Sequence, residues 1–260
     1  MLESRTIRKT QHFQDTISNI SLAWLTGDIQ IIKSDTDEIK IIQYANQGFS
    51  ENKLFDARVE NGTLNILDGR KRKLSFGIHV HRTLLELHLP AQSFQSFSIQ
   101  GTGSHITIQD IQVTDCNCHI TSGVVNCSGT ITDLKVRAIG SHILGEQLSV
   151  QKVRLQATSS KIDLSGMFSV VDTQITGRSM RIESSSMIRR LHSVSTGASV
   201  NVVIPENDGF TLQYKQGSGQ MKSEFPLVTQ GNTHRYKNGE SKESTLKAEV
   251  RGGKFTLLKS

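Results

Sequence analysis

The chain is short of aromatic residues, proline and cysteine, and each shortage narrows the class of fold. Aromatic residues make up 5% of the 260 residues, so a core of large rings is disfavoured and narrow aliphatic layers are expected. Only three prolines interrupt the extended segments. The three cysteines, Cys116, Cys118 and Cys127, are an odd number in a long chain, which argues against a disulfide framework and is compatible with a reducing compartment.

Long apolar runs are also missing. No segment approaches the roughly 18 apolar residues that a membrane-spanning helix needs. Residues 1–10 carry basic side chains but lack the apolar core of an export signal. The sequence therefore predicts no transmembrane segment and, by default, a cytoplasmic location, with association with the cell envelope as the alternative.

The charge is positive but diffuse. A formal net charge of +6 would permit attraction to nucleic acid, anionic lipid or acidic wall polymers. The only dense run, Arg70-Lys71-Arg72-Lys73, has no interleaved aromatic residues and no recognition-helix pattern beside it. We therefore interpret this run as a solvated loop and expect no specific nucleic-acid partner.

A repeated phrase organises residues 97–221. One apolar anchor recurs every 18 to 21 residues, and each unit has two alternating strands separated by a small residue suited to a corner with positive φ. Such a period is the signature of stacked coils, and parallel crossovers are overwhelmingly right-handed. The sequence therefore predicts an all-β, right-handed parallel β-solenoid with about 18–20 residues per coil. The anchors are Ile106, Val125, Ile143, Ile162, Met180, Val200 and Met221.

The ends of the chain depart from this period and are expected to cap the solenoid. We assign residues 1–23 to an N-terminal cap or flexible segment and residues 24–260 to the solenoid domain. Within that domain, residues 222–260 are expected to form a C-terminal cap that contains a hairpin, because a last coil needs shielding from edge-to-edge association.

The repeats resemble a known bacterial family, the putative adhesins of the β-strand-repeat type, which are common in Firmicutes and form a domain of unknown function. The resemblance rests on the Thr-(Gly/Ser)-(Ser/Gly)-x-apolar-x-apolar phrases and on strands closing on proline at Leu87-His88-Leu89-Pro90 and Val202-Val203-Ile204-Pro205. It covers about Trp24 to the C-terminus. It implies a stacked β body and a role in envelope attachment or envelope stress, and it supplies no catalytic motif.

Clusters that could carry chemistry are few. The three cysteines fall in inward columns, where a free thiol behaves as a small apolar residue. His79 and His81, with His88 nearby, could approach a divalent metal, but no carboxylate or cysteine stands at matched spacing. Glu146 and Glu183 flank Ser165 in one outward column and are the nearest approach to the paired carboxylates of a glycosidase. We expect no metal, no cofactor and no enzymatic activity.

Two outward features are candidate binding surfaces. A threonine ladder, interrupted by Ile139, consists of Thr102, Thr121, Thr158, Thr176 and Thr196, and a small basic patch consists of Lys135, Arg137 and Arg154. From these we predict a non-catalytic interaction or scaffold protein, adhesin-like and linked to the cell envelope or its stress response. A protein or an anionic envelope polymer is the expected partner. The alternative is a polysaccharide-active enzyme on the same scaffold.

Overall fold

The computed structural model describes residues 5–70, 83–237 and 244–260. Within these ranges the chain forms 19 β-strands and a single-turn 3-10 helix at Glu51–Lys53. The strands are β1 Thr6–Phe13, β2 Asn19–Trp24, β3 Gly27–Ser34, β4 Ile39–Ala45, β5 Asp56–Glu60, β6 Thr63–Leu67, β7 Leu84–Pro90, β8 Ser93–Thr102, β9 Ser104–Thr121, β10 Val124–Ile139, β11 His142–Thr158, β12 Lys161–Thr176, β13 Ser179–Ser184, β14 Arg190–Ile204, β15 Phe210–Gln216, β16 Gln220–Ser223, β17 Val228–Gln230, β18 Thr233–Tyr236 and β19 Thr245–Lys259.

Each central coil is made by one long strand that bends once. In β9, for example, residues 104–108 form a short limb and residues 112–121 form a long limb, and the parallel register slips between them. Stacking the short limbs gives one face of the body, the short-limb face, and stacking the long limbs gives the long-limb face. The two faces are joined in one open sheet of 19 strands, so the predicted parallel β-solenoid is confirmed.

The predicted anchor column is continuous from Ile106 to Val200. The parallel register joins each anchor to the next, and every side chain in the column is buried. Alternation places these residues inward because successive side chains of a strand point to opposite faces. The predicted corners also have positive φ, including the serines at Ser122 and Ser159, with φ of 52° and 49°.

Beyond Val200 the coils do not follow chain order. Val200 pairs with Phe255 of β19, and Phe255 in turn pairs with Met221. The expected direct step from Val200 to Met221 was therefore wrong, because β19 lies between β14 and the pair β15–β16. Residues 245–259 alternate like the other coils and form one coil of the stack. The buried side chains that fill its inward columns are Leu246, Ala248, Val250, Phe255 and Leu257.

The N-terminal end has a similar insertion. Strands β2 and β3 lie between the coil of β6 and β7 and the coil of β8 and β9. Antiparallel strands then cover the ends: β1 and β4 beside β7, β5 beside β6, and β17–β18 beside β15. These are the capping strands and hairpin that the sequence predicted, while the proposed domain boundaries stay predictions.

Candidate functional site

The long-limb face carries a polar depression of about 530 Å³, which we call the long-face groove. Alternation turns every second long-limb side chain outward, and the parallel register stacks these side chains in rows across the strands. The three basic residues predicted from the sequence all line the groove, together with His119 and Asp172. Carboxamides complete the lining at Gln100, Asn117, Gln156 and Gln174.

The basic patch is assembled by register. Lys135 lies beside Arg154 on the neighbouring strand, and Arg137 lies beside His119 and Gln156. The Nε of Arg137 donates a hydrogen bond to Oε1 of Gln156 at 3.1 Å. The structure therefore brings the predicted basic residues together, although their role in binding stays a prediction.

The three basic residues of the patch differ in whether a carboxylate pairs with them. Arg154 forms an ion pair with Asp133, with 2.9 Å between its NH2 and Oδ2. Among the described residues, Lys135 and Arg137 have no ion pair with a carboxylate. Among these residues, Lys135 and Arg137 are thus two uncompensated positive charges on strand β10, two residues apart and on the same face.

The threonine ladder runs beside the groove. The register joins Thr102 to Thr121, and Ile139 links Thr121 to Thr158 before the ladder continues to Thr176 and Thr196. Ile139 is 50% exposed, so its side chain lies in the ladder as an apolar step. Any binding role of the ladder stays a prediction, since packing of β-branched neighbours also explains it.

The cysteines lie in or against the core. Cys116 and Cys118 are buried with their sulfur atoms 3.9 Å apart, and Cys127 is half-buried. The contact with Cys118 and burial together raise the pKa of Cys116 well above its ordinary value, and burial raises the pKa of Cys127 to about 12. Protonated thiols are poor nucleophiles and poor metal ligands. Their geometry favours a packing role.

His88 and Glu183, two of the histidine and carboxylate candidates, are engaged in local contacts. His79 and His81 lie outside the described residues, and His88 Nε2 is 3.1 Å from Oε2 of Glu86. Across residues 5–70, 83–237 and 244–260, no three histidine, cysteine or acidic side chains are placed to hold a metal ion. Glu183 pairs with Arg181, at 2.7 Å between oxygen and nitrogen.

The paired-carboxylate arrangement is only half present. Ser165 pairs in register with Glu183, as the sequence alignment predicted. Glu146, however, lies in the irregular step between Gly145 and Leu148, where the register shifts. The two glutamates therefore do not occupy matched positions on either side of Ser165.

A second depression, of about 370 Å³, was missed by sequence reasoning. Trp24, Asp68 and Arg70 line it, and it shares Gln100 and His119 with the long-face groove. It forms where β2 and the end of β6 become neighbours although they are far apart in sequence. No local signal identifies this pairing, and Arg70 had been assigned to a solvated loop.

Stacked parallel coils, aliphatic inward columns and polar outward rows define a β-solenoid repeat protein. The chain belongs to the Toastrack DUF4097 family, whose model matches residues 17–257. Membership of this family confirms the resemblance to the bacterial adhesin-like repeat proteins. No significant match was found among curated proteins.

Solved structures with the same fold share little sequence with the chain. A putative adhesin from Parabacteroides merdae has a TM-score of 0.59 and 12% identity, covering 97% of this chain and 95% of its own. A putative lipid binding protein from Parabacteroides distasonis has a TM-score of 0.54 and 12% identity, covering 95% and 96%. At this identity the likeness shows the fold alone. In the described part of the chain, no helix has the length and apolarity to cross a membrane.

Proposed function

We propose that this protein is a non-catalytic, adhesin-like scaffold that binds an anionic polymer of the cell envelope along its long-limb face. The observation that carries the proposal is the pair Lys135 and Arg137, two cations that no described carboxylate pairs with, in a groove of about 530 Å³. Uncompensated cations in a concave surface raise the local concentration of anionic ligands.

The arrangement suits an extended ligand. Outward side chains two residues apart on one parallel strand are separated by about 6.6 Å, and neighbouring strands by about 4.8 Å. Lys135 and Arg137 therefore present two adjacent contacts to one negative group of a ligand chain that crosses β10. Arg can bind a carboxylate or phosphate through two parallel hydrogen bonds, while Lys acts as a point charge.

The structural relatives support a binding role. One protein with this fold is described as a putative adhesin and another as a putative lipid binding protein. Both descriptions concern attachment to a ligand. They support the proposal through the shared fold and leave the ligand to be identified by experiment.

Binding of dextran sulfate, with neutral dextran as the uncharged comparison, tests the proposal. The double variant Lys135→Gln with Arg137→Gln should weaken dextran sulfate binding about tenfold, because exposed ion pairs contribute up to about 1 kcal/mol each. The matched control, Lys161→Gln with Lys222→Gln, removes the same charge from exposed positions on the short-limb face. It should bind like the unmodified protein.

Two results of the binding assay would contradict the proposal. Equal binding of dextran and dextran sulfate would show that charge is not recognised, and equal losses in both double variants would show that only net charge matters. Fractionation of native cells with crosslinking should recover the protein with envelope polymers. Recovery free of the envelope, without a crosslinked polymer, would contradict the envelope ligand.

A further inference from the structure

The long-face groove continues beyond the basic patch. It and the second depression share Gln100 and His119, so the two form one trough. The trough crosses β6, β2, β8, β9, β10, β11 and β12, which are neighbours in that order. Six strand spacings of about 4.8 Å give a length of about 29 Å along the solenoid axis.

Among the residues that the structure describes, unpaired positive charge in this trough is concentrated on β10. At one end, the Nε of Arg70 donates to Oδ1 of Asp68 at 2.8 Å, so this ion pair is neutral. Toward the other end Arg154 is paired with Asp133, and Asp172 adds a negative charge beside it. Lys135 and Arg137, the two cations with no ion pair among the described residues, are both on β10, the fifth of these seven strands.

Neutral hydrogen-bonding groups flank the central charge. Gln100 and Asn117 project from β8 and β9 on one side, and Gln156 and Gln174 project from β11 and β12 on the other. A carboxamide both donates and accepts hydrogen bonds, so it suits hydroxyl groups better than bare anions. The four side chains are exposed, and they extend the trough's polar surface without adding charge.

The same lining argues against nucleic acid. Single strands are held by a continuous basic track together with aromatic rings on which bases stack. Among the described residues that line the trough, the only large aromatic ring belongs to Trp24, which is 2% exposed and lies under Arg70 at 5.7 Å. Within the described part of the chain, the trough offers neither a continuous basic track nor an open stacking platform.

We infer that the trough binds a linear acidic polysaccharide in which carboxylates are separated by neutral sugars, with its chain lying along the solenoid axis. A carboxylate meets Lys135 and Arg137 on β10, and sugar hydroxyls meet the carboxamides on both sides of that strand. This inference rests on the proposed function and adds the ligand class, its direction and its length.

Hyaluronan oligosaccharides are suitable probes, because a uronate alternates with a neutral amino sugar along the chain. A decamer should bind at least tenfold more tightly than a disaccharide, measured by titration calorimetry. The variant Gln100→Ala with Gln174→Ala should weaken decamer binding severalfold and leave disaccharide binding unchanged. The control Asn201→Ala, on the short-limb face, should change neither.

The outcomes separate this inference from the proposed function. If dextran sulfate binds through Lys135 and Arg137 but the hyaluronan decamer does not bind, the ligand class is wrong and the anion site stands. A competition experiment with labelled decamer tests the carboxamides. If polyphosphate of matched charge displaces the labelled decamer as effectively as unlabelled decamer does, the carboxamides do not contribute to recognition and the inference fails. If Gln100→Ala with Gln174→Ala binds the decamer normally, the extended trough is not used. Failure of both dextran sulfate and hyaluronan to bind would overturn both proposals.

Discussion

Replacing Gly166 by alanine should destabilise the solenoid much more than the same replacement at Gly197. Gly166 has a φ of +151°, and a Cβ built there would lie 2.0 Å from the carbonyl oxygen of Leu148 and 2.7 Å from its nitrogen. These are backbone atoms of the neighbouring coil, paired in register with Gly166. Relief of the clash therefore requires the two coils to separate locally.

The expected size follows from two contributions. A backbone held in a sparsely populated conformation costs about 1–3 kcal/mol, and forcing extra atoms into a packed site costs about 1–3 kcal/mol. Gly166→Ala should therefore lower the free energy of unfolding by about 2–6 kcal/mol. Gly197 has a φ of +58° with no atom within 4 Å of a built Cβ, so its replacement should cost about 1–2 kcal/mol.

Denaturant unfolding followed by circular dichroism measures both losses. The midpoint should fall further for Gly166→Ala, with the slope of free energy against denaturant unchanged if compactness is retained. Serine already occupies the left-handed corner at Ser122 and Ser159, which is why Gly197 is a fair control. Equal losses in the two variants would refute the steric argument, since only φ would then matter.

Two further predictions concern ionisable groups. Hydrogen bonds from Lys259, Tyr236 and Lys237 lower the pKa of Glu206 to about 2, so its stabilising contribution is present above its ordinary pKa near 4.5 and is lost as the pH falls towards 2. In the Glu206→Gln variant, the free energy of unfolding should fall less between about pH 5 and pH 2 than it does in the unmodified protein. An unchanged pH dependence in equilibrium unfolding would contradict this. Cys127, with a pKa of about 12, should react with Ellman's reagent at pH 8 at least a hundredfold more slowly in the folded protein than in denaturant, because the thiolate is the reactive form. Rapid stoichiometric labelling of the folded protein would contradict the raised pKa.

Local alternation made much of the fold predictable. The inward column from Ile106 to Val200 follows from the two-residue period, because a one-residue slip would turn every apolar side chain outward. The same alternation did not identify which coil follows Val200. Met221 and Phe255 both fit the column, and the choice between them depends on contacts between segments distant in sequence.

The sequence predicted the candidate site to a similar extent. The register implied by the repeat was enough to bring Lys135, Arg137 and Arg154 together. It did not reveal that Arg154 is compensated by Asp133, because that contact runs diagonally between two coils and depends on side-chain conformations. The extension of the trough to Trp24 was also hidden, since it requires the non-sequential neighbours β2 and β8.

The insertion of β19 has a consequence for biosynthesis. Both of its neighbours, β14 and the pair β15–β16, leave the ribosome before it does. Until residues 245–259 have emerged, the nascent chain lacks the coil that lies between β14 and the pair β15–β16. The facing edges of these strands are therefore unpaired. Open strand edges recruit strands from other chains. Slow translation or truncation before residue 245 should therefore favour strand exchange between nascent copies over completion of a single body.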